Sequence, residues 1–216
     1  MHEFGSPNFK QLGPSALVIE LDGPPTLDHQ SRLWHLADVA KTVRGVIDRV
    51  CGLLNLTIIY NPTTVNAETL KAHLRKSWSS HTLHALAPCI NVPVRYGGEH
   101  GPDLARVAQA SKLTEAEVIE RHTAVEYTAY FIGFQPGFAY LGDLDPKLQT
   151  PRLDTPRTRV PAGSVAIGGT HTAVYPFSSP GGWNIIGKTD MLLFDIKRPE
   201  PALLSRGSRV RFVVAK

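Results

Sequence analysis

The run from Phe131 to Gly187 is dense in glycine and proline, yet aromatic and β-branched residues keep interrupting it. A disordered linker has the first property without the second, because it lacks the apolar side chains that offset the entropy of ordering. Both together predict short strands joined by tightly specified turns, since glycine admits positive φ and proline presets φ while removing a donor. Such turns make a rigid loop surface, where binding sites tend to sit. A barrel that simply needs its corners turned would use the same residues.

Upstream the signals change. Ala16 to Leu21 reads as a strand between glycine and proline stops, and Leu27 to Lys41 as a helix. In that helix Leu33, Leu36, Ala37 and Ala40 share a face, Thr26 is placed to cap, and Asp28 and Lys41 suit the helix dipole. Val46 to Val50 and Leu54 to Tyr60 read as a hairpin, and Asn66 to Trp78 as a second amphipathic helix. Strand, helix, two strands, helix predicts a small two-layer α+β domain over residues 1–85. His81 and His84 are three apart, but no other ligand completes a metal set, so a solvated interdomain segment is the expectation. The boundary is expected between Leu83 and Pro88, with a second domain over 86–216.

That second domain opens with a strand from Ile90 to Tyr96, followed by a Gly97-Gly98 loop and a helix from Leu104. The amides at this helix start could hold an anion, or Asp103 could cap them. Thr114-x-x-Glu117 is a capping box for a helix running to about His122. A strand from Val125 to Phe131 follows. Short strands are then expected at Ser164–Ile167, Thr172–Tyr175, Trp183–Ile186, Met191–Phe194 and Arg209–Val214. So many short strands predict a mainly-β closed or nearly closed barrel.

Composition narrows the class. A length of 216 residues allows one large or two small domains, and 42% hydrophobic with 19% charged residues reads as a soluble globular chain. No apolar run suggests a membrane span, the N-terminus has no secretory layout, and the cytoplasm is the expected location. Cys51 and Cys89 are expected to be buried thiols. A net charge of +4 without a basic stripe carrying aromatics argues against nucleic acid as a partner. Glu3-Phe4-Gly5-Ser6 resembles a vector-derived scar and is set aside.

Chemistry concentrates in the glycine- and proline-rich run. Gly182 to Thr189 fits the letters of a phosphate-binding G-x-x-x-x-G-K-T loop, but that motif works only between a buried strand and a helix. Here Pro180-Gly181 precedes it and a turn and strand follow, so the match is read as accidental, although Lys188 could still reach a phosphate. Arg152, Arg157 and Arg159, stiffened by prolines, suit a carboxylate or phosphate; alternatively they pair with Asp143, Asp145 or Asp154. His122 is placed where a cation would suit a helix C-terminus. Ser164, Ser178 and Ser179 lack a nucleophile's context and read as turn hydroxyls. Tyr175 and Trp183 could wall a pocket or fill the barrel.

The ordered motifs GFQPGFAYLG (133–142), PRTRVPAGSVAIGG (156–169), YPFSSPGGW (175–183) and IGKT (186–189), with Gly97-Gly98, Gly101 to Leu104 and His122, resemble the B-subunit family of prokaryotic 5-oxoprolinase. That family includes a Kip-type inhibitor of a sporulation histidine kinase, and is related to allophanate hydrolase subunit 1 and to the carboxyltransferase region of urea carboxylases. The resemblance implies a cyclophilin-like barrel and one component of an ATP-dependent enzyme that opens 5-oxoproline to glutamate. It implies the C and A subunits of 5-oxoprolinase as partners, ATP with Mg²⁺ in the assembled complex, and no activity alone. A kinase inhibitor or a carboxyltransferase component is the alternative. Arg152, Arg157 and His122 are the expected catalytic residues; Arg159, Lys188, Gly163, Ser164, Gly181, Gly182, Trp183 and Tyr175 are the expected substrate- or phosphate-binding residues. No metal site is expected on this chain. Ala173 and Lys188 depart from the family pattern, which often has Gly and Arg or His there.

Overall fold

The computed structural model describes residues 6–79 and 88–215. His81 and His84 lie outside these residues, as do Glu3, Phe4 and Gly5 and nearly all of the expected boundary segment. By its internal contacts the chain divides into two units, Met1–Ala85 and Leu86–Lys216.

In the first unit the expected pattern forms. Strands β1 (Asn8–Leu12), β2 (Ala16–Glu20), β3 (Val46–Cys51) and β4 (Asn55–Tyr60) make an antiparallel sheet in the order β1-β2-β4-β3. Helix α1 (Leu27–Lys41) matches the predicted span, with Thr26 accepting from the His29 amide, and α2 (Ala67–Trp78) is capped by Asn66. Period two in the strands and 3.6 in the helices bring Leu17, Ile19, Leu56 and Ile58 against Leu33, Leu36, Leu70 and Leu74, all buried. Sequence reasoning missed β1 because its residues are mostly exposed and carry no apolar alternation.

In the second unit β5 (Cys89–Tyr96) leads to α3 (Leu104–Ser111) and α4 (Glu115–Ala124). The strands that follow are β6 (Tyr127–Ile132), β7 (Ala139–Leu141), β8 (Arg157–Val160), β9 (Ser164–Gly168), β10 (His171–Val174), β11 (Ser179–Gly181), β12 (Asn184–Lys188) and β13 (Arg209–Val214). Six of them and β5 close a seven-stranded barrel in the order β10-β7-β6-β13-β5-β12-β9, the kind of architecture the resemblance implied. Strand β13 runs parallel to β5 and antiparallel to β6. The Thr114–Glu117 capping box forms as predicted.

The expected strand at Met191–Phe194 is not one. That segment makes a single bridge, Phe194 to Ala202, and Pro199 and Pro201 opposite it have no N–H to extend a ladder. Strands β7, of only three residues, and β8 and β11, short and partly polar, were not anticipated. Ala173 sits inside β10 opposite Ala166, so no left-handed backbone is asked of it. Cys51 and Cys89 are free but half-buried, not buried.

Candidate functional site

Alternation along the barrel strands creates two buried layers. Val165, Ile167, Val174 and Ile186 face the barrel core, while Ala166, Ala173 and Ile185, on the other side of the wall, join Phe138, Val160, Tyr175 and Trp183 in a second cluster. The small alanines leave room for large rings. Above that cluster β8 and β11 pair as a two-stranded ribbon, with Arg157 opposite Gly181.

The ribbon separates two hollows. One, of about 350 Å³, is lined by Arg157, Arg159, Lys188, His100 and Ser164. The other, of about 240 Å³, is lined by Arg152 and five aromatic rings. Pro156, just before β8, lines the aromatic hollow, while Arg157 and Arg159, two apart on one face of β8, line the cationic one. The three arginines expected to act together are therefore divided between two cavities.

In the cationic hollow Arg157 is anchored from below. Its Nη2 donates to Asp103 Oδ1 at 2.7 Å, and Asp103 Oδ2 accepts from the Ile185 amide at 2.7 Å. Asp103 is 7% exposed, so this charge is held by both partners out of bulk water. Arg157 Nη1 is buried with no hydrogen-bond partner. Arg159 Nε donates to Ser178 Oγ at 3.3 Å. Lys188 has Asp190 nearby, but that carboxylate is held by Arg95 through two bonds of 2.7 and 2.8 Å. That grip holds the Asp190 carboxyl below its ordinary range. Asp145 pairs with Arg121 and Asp143 accepts from Tyr130, so neither neutralises the three arginines.

Asp103 thus overturns the capping reading of the α3 start. Its side chain makes no cap bond to the helix, and its own amide and that of Leu104 donate to Ile185 and Gly101 carbonyls. Those two amides are committed. The role of Asp103 escaped sequence reasoning because its partner lies 54 residues away.

In the aromatic hollow Arg152 lies 5.6 Å over the Trp183 ring. Its backbone is tied there: the Leu153 amide donates to Gly182 O at 2.7 Å, and Asn184 Nδ2 donates to Pro151 O at 2.9 Å. Gly181 and Gly182 line this hollow, and a Cβ on Gly181 would fall 2.5 Å from the Tyr175 hydroxyl. Burial pushes the Tyr175 hydroxyl up in pKa, against an opposing pull from the Trp183 amide. Phe134, at φ +65°, projects its exposed ring edge-on to Phe138 and Tyr175. Phe134, Phe138 and Tyr140 were not singled out from sequence; their spacing within GFQPGFAY was the available signal.

Two expected site residues line neither hollow. Gly163, at φ +81°, donates to Tyr175 O and accepts from Thr189, and a Cβ there would lie 2.2 Å from Thr189 O. It locks three strand ends together. His122 is fully buried beside Phe212 in the second unit, with Nδ1 2.7 Å from the Tyr96 hydroxyl and Nε2 2.9 Å from Thr172 Oγ1. Desolvation pulls its pKa down to about 3, so the expected helix-end cation is a neutral ring. Gly182 to Thr189 contains strand β12 and no helix follows it among the described residues, as the rejection of a P-loop required. Among the described residues no group of three His, Cys, Asp or Glu could hold a metal ion. No helix among them is long and apolar enough to cross a membrane.

Residues 7–204 of the chain match the family model of the carboxyltransferase domain, subdomain C and D. Curated relatives narrow the class. The B subunit of 5-oxoprolinase from Escherichia coli O157:H7 is 46% identical, covering 95% of this chain and 94% of that protein. Proteins of the same name from Haemophilus influenzae (strain ATCC 51907 / DSM 11121 / KW20 / Rd) and Bacillus subtilis (strain 168) are 42% and 36% identical, covering 96% and 94% of this chain and 97% and 91% of theirs. The chain belongs to the family of 5-oxoprolinase B subunits. Among solved structures, TTHA0988 superposes with a TM-score of 0.80 at 32% identity, covering 93% of this chain and 39% of its own. The chain therefore spans about two fifths of that longer protein. The urea carboxylase of Kluyveromyces lactis gives a TM-score of 0.80 at 17% identity, over 97% of this chain and 22% of its own, a likeness of fold alone.

Proposed function

We propose that the chain is the B subunit of an ATP-dependent 5-oxoprolinase in the cytoplasm, acting with the C subunit in phosphorylating the lactam and with the A subunit in opening the ring to L-glutamate. The supporting observation is the cationic hollow, in which the three positive charges of Arg157, Arg159 and Lys188 converge against one lining carboxylate, Glu99. A lactam is a resonance-stabilised amide, and direct attack on its carbonyl is slow. ATP, bound with Mg²⁺, supplies a phosphoryl group that turns the lactam oxygen into part of a good leaving group.

The chain's own residues position and neutralise charge. Arg157, fixed through Nη2 by Asp103 and lining the hollow, would offset the charge of a phosphoryl group bound there. Arg159 and Lys188 would hold further oxygens, the first with planar forks and the second as a point charge. Such fixed donors stabilise developing charge without reorganising at the moment of reaction. The chain is expected to be inactive alone, because phosphorylation falls to the assembled B and C subunits and ring opening to the A subunit.

The test is reconstitution of 5-oxoproline-dependent ADP release from the purified chain and its candidate partners. Activity should need all three polypeptides. Full activity without this chain would end the proposal.

A further inference from the structure

We propose that the aromatic hollow is the seat of the lactam itself, a small cyclic amide whose single carboxylate is met by Arg152; this rests on the functional reading above. Its chemistry differs from that of its neighbour across the ribbon. Five rings line it, and Arg152 is the one charged residue among its walls. The cationic hollow gathers three permanent positive charges, which suits a polyphosphate. A flat five-membered ring with one negative charge is the complement of the aromatic hollow, where ring faces contribute dispersion and edge contacts and the guanidinium fixes the polar end.

Arg152 is prepared for that task. Among the described residues it forms no ion pair, so a ligand carboxylate displaces no internal partner. Its backbone is held by the two hydrogen bonds that flank Trp183, and the indole face fixes the guanidinium plane. The volume of about 240 Å³ lies below the usual range for drug-sized ligands, which favours a small occupant. Gly182, whose added Cβ would meet nothing closer than 3.6 Å, leaves one wall open at the backbone, where an amide could approach. A nucleobase would also stack on these rings but brings no negative charge for Arg152.

The experiment uses the assembled complex and measures KM for 5-oxo-L-proline and for ATP separately. Loss of a charge-assisted pair predicts that Arg152→Gln raises KM for 5-oxoproline by about tenfold or more while KM for ATP stays unchanged. Arg152→Lys should recover part of the loss. Inhibition by pyrrolidinone, the same lactam without its carboxylate, should be equal in the wild-type and Arg152→Gln complexes. Phe134→Ala, at a side chain exposed enough to spare folding, should weaken both compounds. An unchanged KM for 5-oxoproline in Arg152→Gln, or a rise in KM for ATP instead, overturns the assignment and leaves the chain's role in the complex intact. Full turnover by a complex lacking the chain overturns that role instead.

Discussion

His122 makes the second unit sensitive to mild acid. The Thr172 hydroxyl donates to Ala166 O, so the ring must donate from Nε2 to Thr172 and accept at Nδ1 from Tyr96. One neutral tautomer satisfies every partner, and a second proton would have to displace the Tyr96 hydrogen in a fully buried site. In the folded chain the pKa is about 3 against an ordinary 6.5. A depressed histidine contributes stability that is fully present above the unfolded value and is lost as pH falls toward the folded one, because the unfolded chain binds the proton first. Between pH 7 and 5 this group alone removes about 2 kcal/mol. His171, lowered mainly by burial and next by Arg152, adds loss of the same sign. Lowered carboxyls such as Asp145 act at more acid pH, below their ordinary 3.8.

Trp183 reports on this unit once Trp34 and Trp78 are replaced by Phe. Urea titrations at pH 7, 6 and 5 should show stability falling with the stated slope, and His122→Gln should flatten it by about 2 kcal/mol over the interval. Equal slopes in the two proteins would refute the reasoning. So would an imidazole NMR titration showing the folded ring protonated between pH 5 and 7.

Two further expectations concern the site's scaffold. A double-mutant cycle of Asp103→Asn with Arg157→Gln should give a coupling of about 1–3 kcal/mol in urea denaturation, and a coupling near zero would show that Asp103 does not anchor Arg157. Gly163→Ala should cost about 2–3 kcal/mol, against about 1 kcal/mol for Gly169→Ala, which shares the positive φ but meets nothing within 4 Å; equal costs would remove the Thr189 contact as the cause.

Elements whose local code agrees with their burial were legible in the sequence. Leu33, Leu36, Ala37 and Ala40 announced α1, Thr114 with Glu117 announced α4, and β-branched runs between turns announced the barrel. The ribbon was not legible, because Arg157–Val160 and Ser179–Gly181 are short and polar and their pairing is long-range. Without β8 as a strand, nothing showed that Arg152 and the Arg157–Arg159 pair would serve different cavities. His122 misled because its place at a helix end is visible locally, whereas the barrel wall that buries it is assembled from distant strands.

The parallel seam between β5 and β13 joins Cys89 with Arg209 and Val94 with Val214, bridging about 120 residues of intervening chain. The cylinder cannot be sealed until its final stave has left the ribosome. Until then β5 and β6 both wait with naked edges, and any companion that prefers the finished surface meets it only after synthesis has passed that point.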